Sequence, residues 1–338
     1  MRPSATRRIG MHRTTIAAIV LCLVGASAFV ALAVGPATLM NLANTSRPAG
    51  PEAGTGPRPN SFDAPTWHAG DTWTYDANAT AGGIRADGPS ATGSVTRTVV
   101  SADASQYNLS LNGTLHIRWM VDPTPMASGS DAYAASMAAG MLQEASLSGY
   151  TWFRASDLAV IKEVRTLEVH GSAATAAGMY NASYIATIVT SFDPALDVWS
   201  FPLQANETWN VTGNATVHGW IRWDLSGPNA TFGDMVNFSY TVPVRLFLVS
   251  GATEDVSTPA GTFPAIPVSM GRPEILSGRP GIVSAPSDPA LGFDHEMPVE
   301  PLHSAQTWYS GTVKNVVKFH LFTDGMRLNL VLSSYHIA

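Results

Sequence analysis

The sequence predicts a mostly β protein with two tandem, curved antiparallel-sheet modules of half-barrel shape and one short helix, behind an N-terminal transmembrane helix. Three observations support this prediction. The chain carries an internal repeat, it alternates apolar and polar residues over short runs separated by turn residues, and it begins with arginines followed by an apolar segment. Alternation with a period of two is typical of strands that bury one face.

The internal repeat is clearest between residues 151–162 and 307–318. Both stretches begin with Thr-Trp and a further aromatic residue, and both end with two β-branched residues before a lysine. Three more matches occur upstream in the same order, namely residues 71–80 with 207–216, 99–101 with 248–250, and 113–115 with 261–263. Four ordered matches indicate a duplication. They divide the body into module 1 at residues 61–192 and module 2 at residues 193–338.

The N-terminal region, residues 1–43, has the pattern of a membrane signal. Four arginines precede an uncharged run, and the apolar residues 16–34 are just long enough to cross a bilayer as a helix. We therefore predict a single transmembrane helix at about residues 14–36, with the body on the extracellular side of the cell membrane. The alternative is cleavage after Ala28 or Ala33, which would release a secreted body. Residues 44–60, rich in proline and glycine, follow as a tether.

The composition excludes several classes of protein. Charged residues make up 13% of the 338 residues and hydrophobic residues 45%, with a formal net charge of −6, which argues against a disordered chain and against a nucleic-acid partner. Cys22 is the single cysteine, so the body can form neither a disulfide framework nor a cysteine nucleophile. The common hydrolase, phosphate-loop, dinucleotide and EF-hand motifs are absent. The sequence thus predicts no enzyme and no cofactor.

Asparagine sequons are unusually dense. Ten of the fourteen asparagines begin Asn-X-Ser/Thr, which predicts N-glycosylation and an extracytoplasmic body. In this respect the chain resembles archaeal cell-surface glycoproteins. Asn44 lies in the tether, and the body sequons begin at Asn78, Asn108, Asn112, Asn181, Asn206, Asn210, Asn214, Asn229 and Asn237.

The C-terminal strands form the clearest predicted hairpin. Residues 317–322 and 326–332 both alternate with a period of two, and Asp324-Gly325 between them suits a tight turn. A looser pair at residues 164–169 and 180–190 is its counterpart in module 1.

One helix is predicted at residues 131–145, which are alanine-rich and begin with Asp131 as an N-cap. Tyr133, Met137 and Met141 recur at every fourth position and would form one apolar face. Two interpretations remain open. Either the helix covers the concave side of a sheet, or it is a lid whose three apolar residues contact a lipid-like ligand.

The stretch from Val256 to Val268, with Thr-Pro-Ala-Gly-Thr at its centre, is followed by Trp308-Tyr309-Ser310 and Val316-Val317-Lys318. This pattern resembles the DUF3108-type proteins and the LolA- and LolB-like half-barrel proteins of the cell envelope. The resemblance implies a strongly curved antiparallel sheet that wraps a helix or an apolar ligand, and hence a lipid-like partner. It covers about the last eighty residues well.

Lys162 and Lys318 occupy the same position of the repeat within otherwise apolar strands. Each lysine could pair with an acidic group of a ligand, which makes both of them candidate binding residues. The alternative is that they point outward from a strand whose other face is buried.

A candidate metal site lies in the proline-rich insertion between residues 271 and 303. Asp294, His295, Glu296 and His303 concentrate side chains of the types that bind metals. Proline residues interrupt any regular helix there, so a solvated loop is the alternative interpretation.

Three functions remain open from the sequence. The favoured one is a surface-displayed, non-catalytic carrier for an apolar or amphipathic ligand, and a concave apolar cavity would support it. The second is a structural envelope glycoprotein, which a filled core would favour. The third is an extracellular metal-dependent hydrolase, which requires the four predicted ligands to converge on one point.

Overall fold

A computed structural model of the chain describes residues 59–81, 90–118, 142–175, 178–228, 230–271, 304–323 and 326–338. Within these ranges the chain forms fifteen β-strands and no helix, and it therefore contains no helix long and apolar enough to cross a membrane. The transmembrane helix predicted at residues 14–36 lies outside the described ranges. The strands are β1 (Ser61–Phe62), β2 (Thr72–Ala81), β3 (Ser90–Ala102), β4 (Gln106–Arg118), β5 (Leu142–Arg154), β6 (Val160–Thr175), β7 (Gly178–Leu196), β8 (Leu203–Gln204), β9 (Thr208–Gly227), β10 (Ala230–Ser250), β11 (Glu254–Thr258), β12 (Gly261–Gly271), β13 (Ser304–Ser310), β14 (Asn315–Thr323) and β15 (Met326–His336).

Twelve of these strands form one closed antiparallel barrel. The order around the ring is β2, β3, β4, β5, β6, β7, β9, β10, β12, β13, β14, β15 and back to β2. The ring closes between β10 and β12 through four residue pairs, from Phe247 with Gly271 to Ser250 with Val268. β11 pairs with the first half of β12, and β1 pairs with β8 in a separate ribbon. The predicted antiparallel, mostly β architecture is confirmed.

The inside of the barrel is apolar because alternate residues of every strand point inward. One large cluster of buried side chains runs from β2 through the ring to β15. Aromatic residues fill one end, which we call the plugged end. There Trp67 packs on Trp73, with ring centroids 5.5 Å apart. Trp199 and Phe201 both pack on Tyr309, at 5.3 and 5.2 Å.

The outer face of the barrel carries pairs of threonines on neighbouring strands. The hydroxyls of Thr74 and Thr96 are 3.1 Å apart, and those of Thr166 and Thr187 are 3.0 Å apart. Each such cross-strand pair contributes about 0.2–1 kcal/mol relative to an alanine pair. These pairs link neighbouring strands on the outer face of the barrel.

The two hairpins that carry the sequence repeat share their local geometry. β5 with β6, and β13 with β14, each have a register shift directly after the repeated tryptophan. Each turn also contains a residue with a left-handed backbone at the same position of the repeat, Leu158 with φ 57° and Lys314 with φ 58°. β2 to β7 supply one half of the ring, and β9, β10 and β12 to β15 supply the other.

The end of the barrel opposite the plug is called here the distal end. There β2, β4, β6, β9, β12 and β14 finish and the next strands of the barrel begin, and each of these six connections includes residues outside the described ranges. Among the described residues, positions 230–246 of β10 pair with β9 alone, because the pairing with β12 stops at Phe247. The partner of Phe247 is Gly271, the last described residue of β12.

One prediction is partly wrong. Residues 142–145, placed at the end of the predicted helix, belong to β5, where Ala145 pairs with Leu115 on one side and Val169 on the other. Pairing with two neighbouring strands overrides the helical propensity of this alanine-rich stretch. Residues 131–141 lie outside the described ranges.

The C-terminal hairpin is confirmed as β14 and β15. The predicted boundary between Phe192 and Asp193 falls inside β7.

Replacing Trp73 by alanine should lower the free energy of unfolding by about 3–5 kcal/mol. Trp73 is fully buried, and its Nε1 donates a hydrogen bond to the carbonyl of Val313 across the barrel at 2.9 Å. Trp152→Ala on the outer face is the matched control and should cost about 1 kcal/mol or less. Urea unfolding followed by fluorescence measures both. Equal losses in the two variants would contradict the assignment of inner and outer faces.

Candidate functional site

A second apolar cluster lies at the distal end, separate from the large one, and we call it the distal cluster. Its buried members, on β5, β6, β7 and β9, are Ala145, Leu167, Val169, Tyr184, Ala186 and Ile221. Partly buried side chains on β4, β7, β9 and β10 pack against it, namely Leu115, Ile117, Ala182, Trp223 and Phe238. Apolar side chains that remain partly exposed at one place are typical of a binding surface.

β10 extends this apolar surface beyond the point where the ring closes. Tyr240 pairs with the buried Val217, and cross-strand partners share a face of the sheet, so Tyr240 faces inward. Its side chain is nevertheless 44% exposed, and its ring stacks on Phe238 with centroids 6.0 Å apart. An apolar ligand on this face would cover both rings.

The hydroxyl of Tyr184 is the polar group within the distal cluster. It is buried and has no hydrogen-bond partner among the described residues, and burial raises the pKa of this phenol. A buried hydroxyl without a partner is costly. A polar atom of a ligand bound at this cluster would relieve that cost.

Buried charges lie directly beside the distal cluster. Arg97 on β3, with Glu163 and Arg165 on β6, are 6%, 4% and 2% exposed, and we call them the charged layer. Because alternate residues of a strand share a face, Glu163, Arg165, Leu167 and Val169 follow one another along the inner side of β6. The charged layer therefore borders the distal cluster within a single strand.

Arg165 is held by a set of hydrogen bonds. Its Nη2 donates to Oγ1 of Thr151 at 2.6 Å and to Oε1 of Glu163 at 3.2 Å. Its Nη1 donates to the carbonyl of Tyr150 at 2.9 Å. Its Nε is buried and has no partner among the described residues. One donor of this guanidinium is thus left for another acceptor.

Burial opposes ionisation of all three members of the charged layer. It lowers the pKa of Arg97 to about 10 and lowers that of Arg165. It raises the pKa of Glu163, an effect that the two neighbouring guanidiniums partly offset. Arg97 is also hydrogen-bonded to Tyr75. Two guanidiniums against one carboxylate give the layer a formal net charge of +1.

A polar groove of about 450 Å³ lies at the distal end. Four of its residues, Glu144, His170, Ser183 and Asp224, are successive partners in one row across β5, β6, β7 and β9. They alternate with the inward residues of the same strands, which places the groove on the outer face. Asn181, which begins a sequon, also lines it, so the predicted glycan would occupy this groove.

Ser183 and His170 are the residues of the groove whose types could form a nucleophile and its base. Within the described part of the chain Ser183 and His170 are not hydrogen-bonded to each other, whereas a serine nucleophile needs such a bond to its base. Nε2 of His170 lies 3.7 Å from an oxygen of Glu168, and Asp224 accepts a 2.7 Å hydrogen bond from Arg222. Among the described residues, this serine and histidine are therefore not assembled for nucleophilic attack.

Lys162 and Lys318 each contact a tryptophan of the partner strand. Nζ of Lys162 is 5.6 Å from the ring centroid of Trp152, and Nζ of Lys318 is 5.0 Å from that of Trp308. A cation–π contact at an exposed site contributes about 0.5–1 kcal/mol. Neither lysine shares a face with the distal cluster. Their role as ligand contacts stays a prediction.

The remaining predicted site residues lie outside the described ranges. They are Tyr133, Met137 and Met141 between β4 and β5, and Asp294, His295, Glu296 and His303 between β12 and β13. Both connections start and finish at the distal end. In the part of the chain that the structure describes, no group of three or more His, Cys, Asp or Glu side chains is placed to hold a metal ion.

The sequence reasoning missed the charged layer. The signal was present, because Glu163 and Arg165 are two positions apart in a strand whose next alternate positions, Leu167 and Val169, are apolar. Residues two apart in a strand share a face, so a buried face that contains the leucine and the valine also contains the two charges.

Comparison with known proteins gives no relative. No family model matches the chain, and neither a curated protein nor a solved structure is significantly similar to it.

Replacing Glu163 by glutamine should lower the free energy of unfolding by roughly 3–5 kcal/mol, because it removes the carboxylate that is paired with the buried guanidinium of Arg165. Glu168→Gln is the matched control. It lies on the same strand, its side chain is 46% exposed, and its replacement should change stability by about 0.5 kcal/mol or less. Chemical unfolding at neutral pH measures both. If Glu163→Gln is as stable as Glu168→Gln, the buried charges do not stabilise one another as we expect.

Proposed function

We propose that the protein is a non-catalytic binding or carrier protein for an apolar or amphipathic ligand, which lies against the distal cluster. The observation that carries this proposal is the inward face of β9 and β10, where the aromatic side chains of Trp223, Phe238 and Tyr240 remain partly exposed. Burial of such a surface by a ligand contributes about 25 cal/mol for each Å² of apolar area removed from water.

The two ends of the barrel support a division of roles. At the plugged end, Trp67, Trp199 and Phe201 pack against other aromatic side chains and fill the interior. This end therefore contributes mainly to stability. The distal end has an apolar face that is less completely covered, with Phe238 and Tyr240 at its margin. A curved sheet around an apolar ligand is also what the resemblance to half-barrel envelope proteins implies.

We propose that this barrel is displayed outside the cell and is held there by the N-terminal segment and its tether. We also propose that it arose by duplication of a module that supplies six barrel strands. The distribution of sequons supports the display. Eight of the nine body sequon asparagines are described, all except Asn229, and all but the half-buried Asn108 are exposed. Enzymes that attach glycans need such accessible positions.

A structural envelope glycoprotein is the second candidate. The large cluster that fills the barrel from the plugged end favours it, because a closed sheet with a filled core can serve as a rigid spacer without any ligand. The two candidates differ in one observable, the presence of a small molecule at the distal end.

The full chain, purified from its own membranes in mild detergent, should carry a small apolar molecule that native mass spectrometry detects and that denaturation releases. Removal of apolar area from water drives binding to a surface of this kind. We therefore expect the ligand to remain bound during gentle purification. Repeated preparations with a ligand-free mass, apart from glycans, would overturn the carrier proposal and favour the structural one.

Two variants of β10 sharpen this experiment. Tyr240→Ser removes an aromatic ring from the inward face and should reduce the ligand-bound fraction several-fold. Met235→Ser removes an outward side chain that is 54% exposed on the same strand and should leave that fraction unchanged. Equal occupancy in the two variants would contradict the inward face as the binding surface.

A further inference from the structure

We infer that N-glycans of the barrel pack their first sugar ring against aromatic side chains of the outer face, so that sugar and aromatic ring form a structural contact. This inference rests on the proposed display outside the cell. It deepens that proposal because it names the sequons whose glycans become part of the fold, which are Asn237, Asn210 and Asn108.

Two of the three contacts lie between β9 and β10. Trp220 on β9 is the cross-strand partner of Asn237 on β10, and Phe247 on β10 is the partner of Asn210 on β9. Both asparagines are exposed, and both aromatic side chains are half-buried. Direct cross-strand partners share a face and have Cβ atoms about 4.5–5.5 Å apart. A sugar linked to either asparagine therefore begins within reach of the neighbouring ring.

Both of these rings lie on the outer face. Ile221, which follows Trp220, is buried in the distal cluster. Leu246 and Leu248, on either side of Phe247, are buried in the large cluster. Successive residues of a strand point to opposite faces, so Trp220 and Phe247 point outward, as their asparagine partners do.

The third contact lies between β4 and β5. Asn108, which is half-buried, is the cross-strand partner of Trp152. Thr151 and Phe153 are buried, so Trp152 between them points outward. Its ring centroid lies 6.0 Å from that of Tyr150, whose side chain is 45% exposed. The two rings together form an aromatic surface beside this sequon.

The chemistry of a sugar ring suits these neighbours. One face of a pyranose presents mainly C–H groups, and the face of an aromatic ring carries the negative part of its quadrupole. Stacking the two faces removes apolar area of both from water, while the hydroxyls at the edge of the sugar stay hydrated. A glycan also covers aromatic surface that would otherwise favour association between chains.

Asn78 provides a contrast within the same barrel. It is an exposed sequon asparagine on β2, and its cross-strand partners are Thr92 and Asn329. Both partners are polar and neither is aromatic, so a glycan on Asn78 gains no stacking contact from them. Asn78 is therefore the matched control for the effect of a glycan as such.

Glycopeptide mass spectrometry of the full chain, purified from its own membranes, is the first test. We expect glycans on Asn237, Asn210 and Asn108. Glycans at other sequons and none at these three overturn the inference and leave the proposed display intact. A chain without any glycan overturns the inference and also removes the support that the sequons give to the display. The carrier proposal depends on neither result, because ligand occupancy tests it.

A double-mutant cycle in the full-length protein measures the contact itself. Asn237→Gln removes the glycan, and Trp220→Thr removes the ring but keeps a residue that strands favour. Asn237→Gln should lower the Tm by about 2–4 °C when Trp220 is present and by less than about 1 °C in the Trp220→Thr background. Equal shifts in the two backgrounds overturn the inference.

Ser239→Ala separates the glycan from the asparagine side chain, because it removes the sequon and keeps Asn237. The 2.8 Å hydrogen bond between Ser239 and His218 is lost in both backgrounds and so cancels in the cycle. Ser239→Ala should therefore show the same coupling to Trp220, and Asn78→Gln should show none. No coupling with Ser239→Ala, or equal coupling with Asn78→Gln, contradicts a sugar–indole contact.

The second pair allows an independent cycle with Asn210→Gln and Phe247→Thr. Its expected coupling has the same sign, and it decides the question if Trp220→Thr does not fold. Additive shifts in this cycle contradict the inference in the same way.

Discussion

Closure of the ring between β10 and β12 is the constraint on which the rest of this structure depends. Four residue pairs make the closure, although β10 is 21 residues long. These four pairs lie toward the plugged end of β10, so the described interior has two parts. Near the closure the inward side chains fill the space between all twelve strands. Farther along β10 the same inward positions have no facing strand among the described residues.

The charged layer lies between these two interiors. A barrel that needed only stability would have apolar residues there, since replacing a buried ion group by well-packed hydrophobic residues is often neutral or stabilising. Glu163 and Arg165 instead interrupt an apolar inner row of β6, and Arg97 joins them from β3. Groups that oppose folding and persist in the interior are typical of sites with a function.

Local features were predictable from the sequence and long-range ones were not. The C-terminal hairpin and the equivalence of Lys162 and Lys318 follow from alternation and repetition over short stretches. The closure by β10 and β12 depends on register between strands that are separated by other elements, and alternation alone leaves that register open. The strand at residues 142–145 was missed because its alanine-rich stretch favours a helix until two neighbouring strands pair with it. The candidate residues between β4 and β5 and between β12 and β13 lie outside the described ranges.

The central claim is that an amphipathic ligand occupies the distal end with its apolar chain beside Trp223. Dodecanoic acid brominated near its methyl end quenches tryptophan fluorescence on contact, and its effect on the full-length protein tests this claim most directly. The account predicts quenching that is largely lost in Trp223→Phe and retained in Trp152→Phe, whose tryptophan lies on the outer face. Quenching that persists undiminished in Trp223→Phe, or no quenching in the unaltered protein, would contradict the account.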